Sequence, residues 1–357
     1  MGPIETDAVV IGAGPVGLYQ VFALGLQGIH AHVVDALPHI GGQCAELYPD
    51  KPIFDIPGIP MCTGRALVQS LEQQIAPFKP VLHLGQLVTG FERQSDGRFL
   101  VATSSNTHLL AKTVFIAAGV GAFLPRTIAL EGLGSFEGTQ LSYRVDNPGR
   151  FAKQRVVIYG DSDEALRWAI ALALGRPDQD LGPAKQVTVL YRRDVFQALP
   201  ETEQHFRALQ AKGTLAVHIG QISGIDTDQG RMSALQVTNP EGTTVPLPLD
   251  QLLVLLGLSP KLGPIAQWGL ALERKQIPVD TEQFSTKEPG IFAVGDINTY
   301  LGKKKLILCG FHEATLAAFG AAALLNPGQK IPLQYTTTST KLHLALGYNA
   351  CENQAPC

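Results

Sequence analysis

Gly12-Ala13-Gly14-Pro15-Val16-Gly17 is the stretch whose reading decides the fold. An apolar run from Asp7 to Ile11 leads into it, and a segment with helical spacing follows. A second apolar run, Ala31-His32-Val33-Val34, then ends on Asp35. Strand, glycine-rich turn, helix, strand is the context in which three spaced glycines become informative. Gly12 permits the tight turn, Gly14 lets backbone approach a pyrophosphate, and Gly17 allows close helix–strand packing. Pro15 belongs to the same turn. Phosphates would sit on the positive end of the helix. Asp35 follows at roughly the 20-residue interval of an acid that accepts ribose hydroxyls.

The pattern recurs. Arg155-Val156-Val157-Ile158-Tyr159-Gly160 reads as a strand and turn, 164–174 as a helix and Gln186-Val187-Thr188-Val189-Leu190-Tyr191 as the next strand. Between the two passes, 91–103 and 107–118 read as strands leading to Gly119. After the second, strands near 234–238 and 252–256 run into Gly257-Leu258-Ser259-Pro260. The last block is Gly290-Ile291-Phe292-Ala293-Val294-Gly295-Asp296, with a helix from about Glu313 to Leu325. The simplest arrangement is an α/β protein of two three-layer, Rossmann-like dinucleotide-binding domains, the second inserted in the first. The first domain is expected over 1–121 and 259–340, the second over 122–258, and a tail over 341–357.

A chain of 357 residues is too long for one typical domain. With 45% hydrophobic and 17% charged residues it suits a compact globular enzyme rather than a disordered segment. The formal charge of -3 implies no general attraction to nucleic acid. Lys303-Lys304-Lys305 is the one basic run, read first as a solvated loop and second as a dock for an acidic protein. No apolar run reaches the ~18 residues that span a bilayer. The stretch from Ala8 has no basic leader, so it reads as a strand and the cytoplasm is expected. No metal site is expected. Five cysteines cannot all pair, and in a cytosolic protein a bonded pair would be catalytic rather than structural.

Gly295-Asp296, a strand end before a helix, would place a carboxylate at a ribityl chain and a helix N-terminus towards a flavin pyrimidine. That positive end would stabilise negative charge on a reduced flavin. Together with Gly41-Gly42-Gln43, Leu47-Tyr48-Pro49, Ile116-Ala117-Ala118-Gly119 and Cys309-Gly310-Phe311-His312-Glu313-Ala314, these motifs make the chain resemble ferredoxin–NADP reductases of the thioredoxin-reductase-like type over nearly its whole length. The resemblance implies the low-molecular-weight thioredoxin reductase fold, FAD in the first domain and a homodimer. It places Tyr48 near the isoalloxazine ring with Gly42 and Gln43 beside it, and brings Gly119, Asp296 and Ala314 into the cofactor site.

The second glycine motif departs from this pattern. Gly160 is present, but Asp161 and Ser162 stand where glycines are expected. Side chains there obstruct close backbone approach, and two acidic charges some 4–6 Å from a phosphate would cost about 1 kcal/mol or more each at intermediate dielectric. Arg192 and Arg193 lie where the family's arginines meet the 2′-phosphate of NADP, whereas the next such position is Gln197. NADPH binding is therefore expected to be weakened or lost.

The cysteines depart too. The family's thioredoxin reductases carry Cys-x-x-Cys before the second glycine motif; here Leu141-Ser142-Tyr143-Arg144-Val145 holds none. Cys44 follows Gly41-Gly42-Gln43 directly and resembles the flavin-side cysteine of glutathione-reductase-like enzymes, with Cys62 its nearest candidate partner. Two unrelated buried thiols are the alternative. Cys309 reads as packing, and Cys351 and Cys357 as part of a polar tail.

Taken together, the departures resemble the diflavin-linked disulfide oxidoreductases of photosynthetic prokaryotes. That resemblance implies two FAD per monomer, the second in the altered nucleotide site, and an active disulfide serving a dithiol/disulfide or electron-transfer partner. The competing expectation is an NAD(P)H-dependent ferredoxin or flavodoxin reductase; a third is a flavoprotein sensor without turnover. His312 and Glu313 are candidates for proton handling, with helix capping as their other role.

Overall fold

A computed structural model describes residues 2–145, 147–176 and 182–348 of the chain. It divides into two compact units, Met1–Phe123 with Pro260–Cys357, and Leu124–Ser259.

The first unit begins with β1 (Ile4–Ile11), α1 (Pro15–Leu26) and β2 (Ala31–Val34). β1 lies between β2 and the strand His108–Ile116, parallel to both. Val81–His83 extends the sheet beyond β2. At the other edge, His108–Ile116 carries two partners. Its first half pairs with the antiparallel ribbon of Phe99–Thr103 and Val88–Arg93, and its last residues pair in parallel with Ile291–Ala293. The expected strand over 91–103 is thus two strands, broken at Gln94, whose backbone carbonyl accepts the N–H of Gly97. The register brings Ile11, Val34, Ile116 and Ala293 level. Four strands therefore end together, and the crevice beyond such carboxyl ends is where open α/β sheets bind ligands.

β1 and β2 are apolar because helices cover the sheet on one side and a second layer covers the other. Val10 and Val33 pack with Leu18, Val21 and Leu24 of α1, while Val9 and Val34 pack with Val101, Val114 and Ile291. The helix Ile307–Leu325 lies against α1, and Gly310 lets it do so: a Cβ there would meet Val16 Cγ2 at 2.4 Å. This helix starts at Ile307, six residues before the expected Glu313. At 19 residues it is also long and apolar enough to cross a membrane, against the expectation of no such run. Its buried residues include Glu313, Ala317 and Ala321, which is the pattern of a core helix.

The second unit repeats the arrangement with β3 (Arg155–Tyr159), α2 (Asp163–Leu174) and β4 (Gln186–Tyr191). Its parallel sheet runs Leu141–Ser142, Gln251–Val254, β3, β4, Ala216–Ile219. Tyr159, Leu190 and Val254 are level at its carboxyl edge. An antiparallel sheet of Gln221–Asp228, Arg231–Thr238 and Thr244–Pro248 completes the unit. The chain crosses between units at 123/124 and 259/260. The expected tail begins with a helix, Thr340–Ala345, capped by Ser339; Cys351 and Cys357 lie outside the described residues.

Candidate functional site

In the first unit the four strand ends open on a cleft of about 260 Å³. The glycines of the turn divide their work as their surroundings dictate. Gly12 has φ 110, and a Cβ there would lie 2.5 Å from the Ala117 carbonyl oxygen. A Cβ on Gly17 would lie 1.9 Å from the Gly12 oxygen. Both positions are fixed by the protein itself. Gly14 is different: its backbone (φ -70, ψ 177) suits any residue, and the nearest protein atom to its Cβ position is Gly42 Cα at 4.0 Å. It lines the cleft together with Gly12 and Pro15. A glycine that the protein does not need, facing a cleft, is one that a ligand needs.

α1 begins at Pro15 with no side-chain cap and no acidic residue in its first turn. Its free N–H groups and the positive end of its dipole remain available to an anion. Lys305 is the only cation on the cleft wall among the described residues, so backbone dominates the reception of negative charge there.

Asp35 sits at the end of β2 and on the cleft wall. Its Oδ2 accepts the Ala13 N–H at 2.6 Å and its Oδ1 that of Leu37 at 2.8 Å. Burial pushes its carboxyl above the ordinary range, and these two bonds oppose that. The carboxylate therefore fastens the glycine turn to β2 and retains lone pairs for a sugar hydroxyl.

Gly41 and Gly42 both have positive φ, 114 and 50, and Gly41 N–H donates to the Ala13 carbonyl at 2.8 Å. This seats Gly42 and Gln43 beside Gly14. Gln43 Nε2 lies 3.5 Å from Asp296 Oδ2, and Gln43 also lies against Gly119, whose φ is 58. Tyr48, Gly119 and Asp296 line the same cleft. Most of the first-site residues expected from the sequence thus lie on one wall. Gly17 and Ala314 are not on it: Gly17 packs behind the turn, and Ala314 is fully buried, its carbonyl accepting from Gln20 Nε2 at 3.1 Å. Gln86, Phe123 and Trp268 are on the wall without having been foreseen, since none belongs to a motif.

Beneath Asp296 lies a buried ionic cluster. Glu313, fully buried, accepts from Gly295 N–H at 2.7 Å, Asn298 Nδ2 at 2.8 Å, Tyr300 Oη at 3.0 Å and the ammonium of Lys303. Lys303 is not part of a solvated loop; its side chain is 7% exposed and also donates to the Gly295 carbonyl. All four bonds to Glu313 come from the segment that shapes the Gly295–Asp296 turn. These bonds hold that turn. Burial and the Glu313 carboxylate push the Tyr300 phenol up.

Cys44 and Cys62 are both buried and both free thiols. They pack with Ile56, Leu67 and Val68 in the core below the cleft. Cys44 Sγ lies 3.7 Å from the Tyr48 hydroxyl, so Tyr48 stands between it and the cleft. Burial pushes the Cys44 thiol up; the Tyr48 hydrogen bond opposes this and Cys62 adds to it. Cys62 is likewise pushed up by burial and then by Asp55. A reactive thiolate calls for the opposite environment.

In the second unit Gly160 keeps its packing role, because a Cβ there would lie 2.3 Å from the Leu255 oxygen. Ser162 caps α2, its Oγ accepting the Ala165 N–H at 3.3 Å. Asp163 and Glu164 fill the first turn with acid. Arg192 and Arg193 are exposed at the end of β4, Arg192 lying over the Tyr191 ring at 5.6 Å.

Residues 6–317 match the family model for pyridine nucleotide-disulphide oxidoreductases. The chain belongs to this family. It is 57% identical over 345 residues to a ferredoxin–NADP reductase of Albidiferax ferrireducens, covering 97% of this chain and 96% of that one. It is 57% identical over 346 residues to the ferredoxin–NADP reductase of a Polaromonas species, covering 97% and 93%. Among solved structures, a thioredoxin reductase from Gloeobacter violaceus matches at a TM-score of 0.58 and 20% identity, over 93% of this chain and 98% of that one. The Lactococcus lactis thioredoxin reductase matches at 0.51 and 21%, over 90% and 99%. The chain is therefore a family flavoprotein oxidoreductase in the thioredoxin-reductase-like ferredoxin–NADP reductase superfamily, with two Rossmann-like domains in the low-molecular-weight thioredoxin reductase fold.

Proposed function

We propose that the chain is a reductase with one FAD that passes electrons between NADPH and an electron-transfer protein of the ferredoxin class. The observation that carries this reading is the uncapped α1 terminus with Gly14 facing the cleft, on a chain 57% identical to ferredoxin–NADP reductases. Gly14 and the first turn of α1 would hold the FAD pyrophosphate, Asp35 the ribose, and Gln43, Tyr48 and Asp296 the flavin end. Bound flavin supplies the chemistry that side chains lack: it takes up a hydride and gives electrons out singly. The residues around it bind, orient and shield. Asp296 is held in place by the Glu313 cluster, and Arg192 with Arg193 would meet the 2′-phosphate of NADPH.

A catalytic Cys44–Cys62 disulfide and a second FAD fit the observations less well. The thiols are free, buried and pushed up, and the curated relatives named above are ferredoxin–NADP reductases. Anaerobic stopped-flow mixing separates the two readings. NADPH should bleach the flavin within a turnover and pass electrons to ferredoxin, with Cys44→Ser unaffected. Bleaching by dithiothreitol but not by NADPH, lost in Cys44→Ser, would restore the disulfide reading.

A further inference from the structure

The second phosphate turn is tied to a neighbouring segment by a ladder of four hydrogen bonds. Gln197 N–H donates to the Asp161 carbonyl at 2.7 Å, and Asp163 N–H donates to the Gln197 carbonyl at 3.0 Å. Side chains extend the ladder: Gln197 Nε2 donates to Asp161 Oδ2 at 3.2 Å, and Leu199 N–H donates to Asp163 Oδ1 at 3.0 Å. Ser162 faces Gln197 as an isolated parallel bridge, and its own Oγ takes the Ala165 N–H. The N–H groups of Asp163 and Ala165, which a pyrophosphate would otherwise engage at a helix start, thus have protein partners. Asp161 adds an obstacle of another kind. Its charge also acts on Arg192, the cation available to a 2′-phosphate.

We propose that Gln197 and Asp161 form a latch that closes the phosphate turn of the second unit and sets the chain's affinity for a dinucleotide. This rests on the reading of NADPH as donor. Binding must displace the Asp161 carboxylate from the turn and compete for donors that the 197–199 segment holds. Gln197 and Asp161 are specificity-determining residues, acting on substrate affinity without touching the reacting atoms. The same latch weighs against any dinucleotide whose pyrophosphate needs those donors, a second FAD included.

The test is calorimetric titration of the FAD-loaded protein with NADP⁺. The double variant Asp161→Gly/Ser162→Gly should bind NADP⁺ roughly tenfold or more tightly than the parent, since it loses one repelling charge and two side chains at the turn. Asp161→Asn keeps the side chain and removes the charge; it should tighten binding about two- to fivefold, and it covers the case in which the double variant does not fold. The latch is overturned if the folded variants bind NADP⁺ no more tightly than the parent. Tightened binding with a flavin that NADPH still fails to bleach leaves the latch standing and removes the donor reading instead.

Discussion

The turn after Ile11 and the turn after Tyr159 occupy the same place in their sheets. Each follows a strand with parallel partners on both sides, and each keeps a glycine whose Cβ would strike a neighbouring carbonyl, at 2.5 Å for Gly12 and 2.3 Å for Gly160. They differ in what the following helix offers. α1 starts uncapped, without acid, beside an open glycine; α2 starts with a serine cap, two acids and a ladder to Gln197. The packing half of a dinucleotide motif and its ligand half are therefore separable. The fold requires the first, and only a bound phosphate requires the second.

The largest effect expected from breaking the contrast is at Gly14. Gly14→Val should leave the flavin-free protein folded, because the backbone and the protein surroundings accept a side chain there. FAD content should fall by about a hundredfold or more, since the side chain fills the phosphate approach. Absorbance at the flavin band with a parallel thermal melt checks both halves.

Glu313→Ala tests the support that only the first turn possesses. It leaves Lys303 buried and unpaired, which should cost about 3–5 kcal/mol. Lys303→Met combined with Glu313→Gln should recover much of that loss in chemical denaturation.

Ser162→Ala sharpens the contrast from the other side. Loss of the cap should destabilise the second unit by about 1 kcal/mol, with FAD content unchanged. The two tryptophans make this readable: Trp168 lies in the second unit and Trp268 in the first, so replacing one by Phe leaves a reporter of the other.

The smallest effect is in acid. Burial, then His83 and His30, lower His32 from 6.5 to about 4. A depressed histidine favours the folded state above its unfolded value, so this contribution is lost as pH falls from 6.5 towards about 4. In the second unit Arg155 holds the Asp250 carboxyl below its ordinary 3.8. That contribution is present above 3.8 and is lost only below it. Trp268 should therefore report unfolding at higher pH than Trp168, and His32→Gln should narrow the gap.

Most of the first site was legible because each glycine carries a local constraint. Gly12 and Gly17 could be read from spacing, and Asp35 and Asp296 from their places at strand ends. Gly17 and Ala314 show the limit: a motif residue can serve by packing behind the wall. The buried role of Lys303 was hidden because a lysine reads as solvent-facing until Glu313 is placed beside it. The Gln197 latch joins residues far apart in sequence through backbone bonds that no side-chain pattern encodes. Cys44 and Cys62 were correctly seen as near neighbours in sequence, yet proximity says nothing of a thiol's surroundings, and theirs are apolar.

One turn receives FAD, and its copy, restrained by the latch, does not hold a second one. Flavin stoichiometry of the purified protein, measured by absorbance after release against protein concentration, tests it most directly. The account predicts one FAD per chain, lost in Gly14→Val and unchanged in Ser162→Ala. Two FAD per chain in the parent, with one remaining in Gly14→Val, would contradict it.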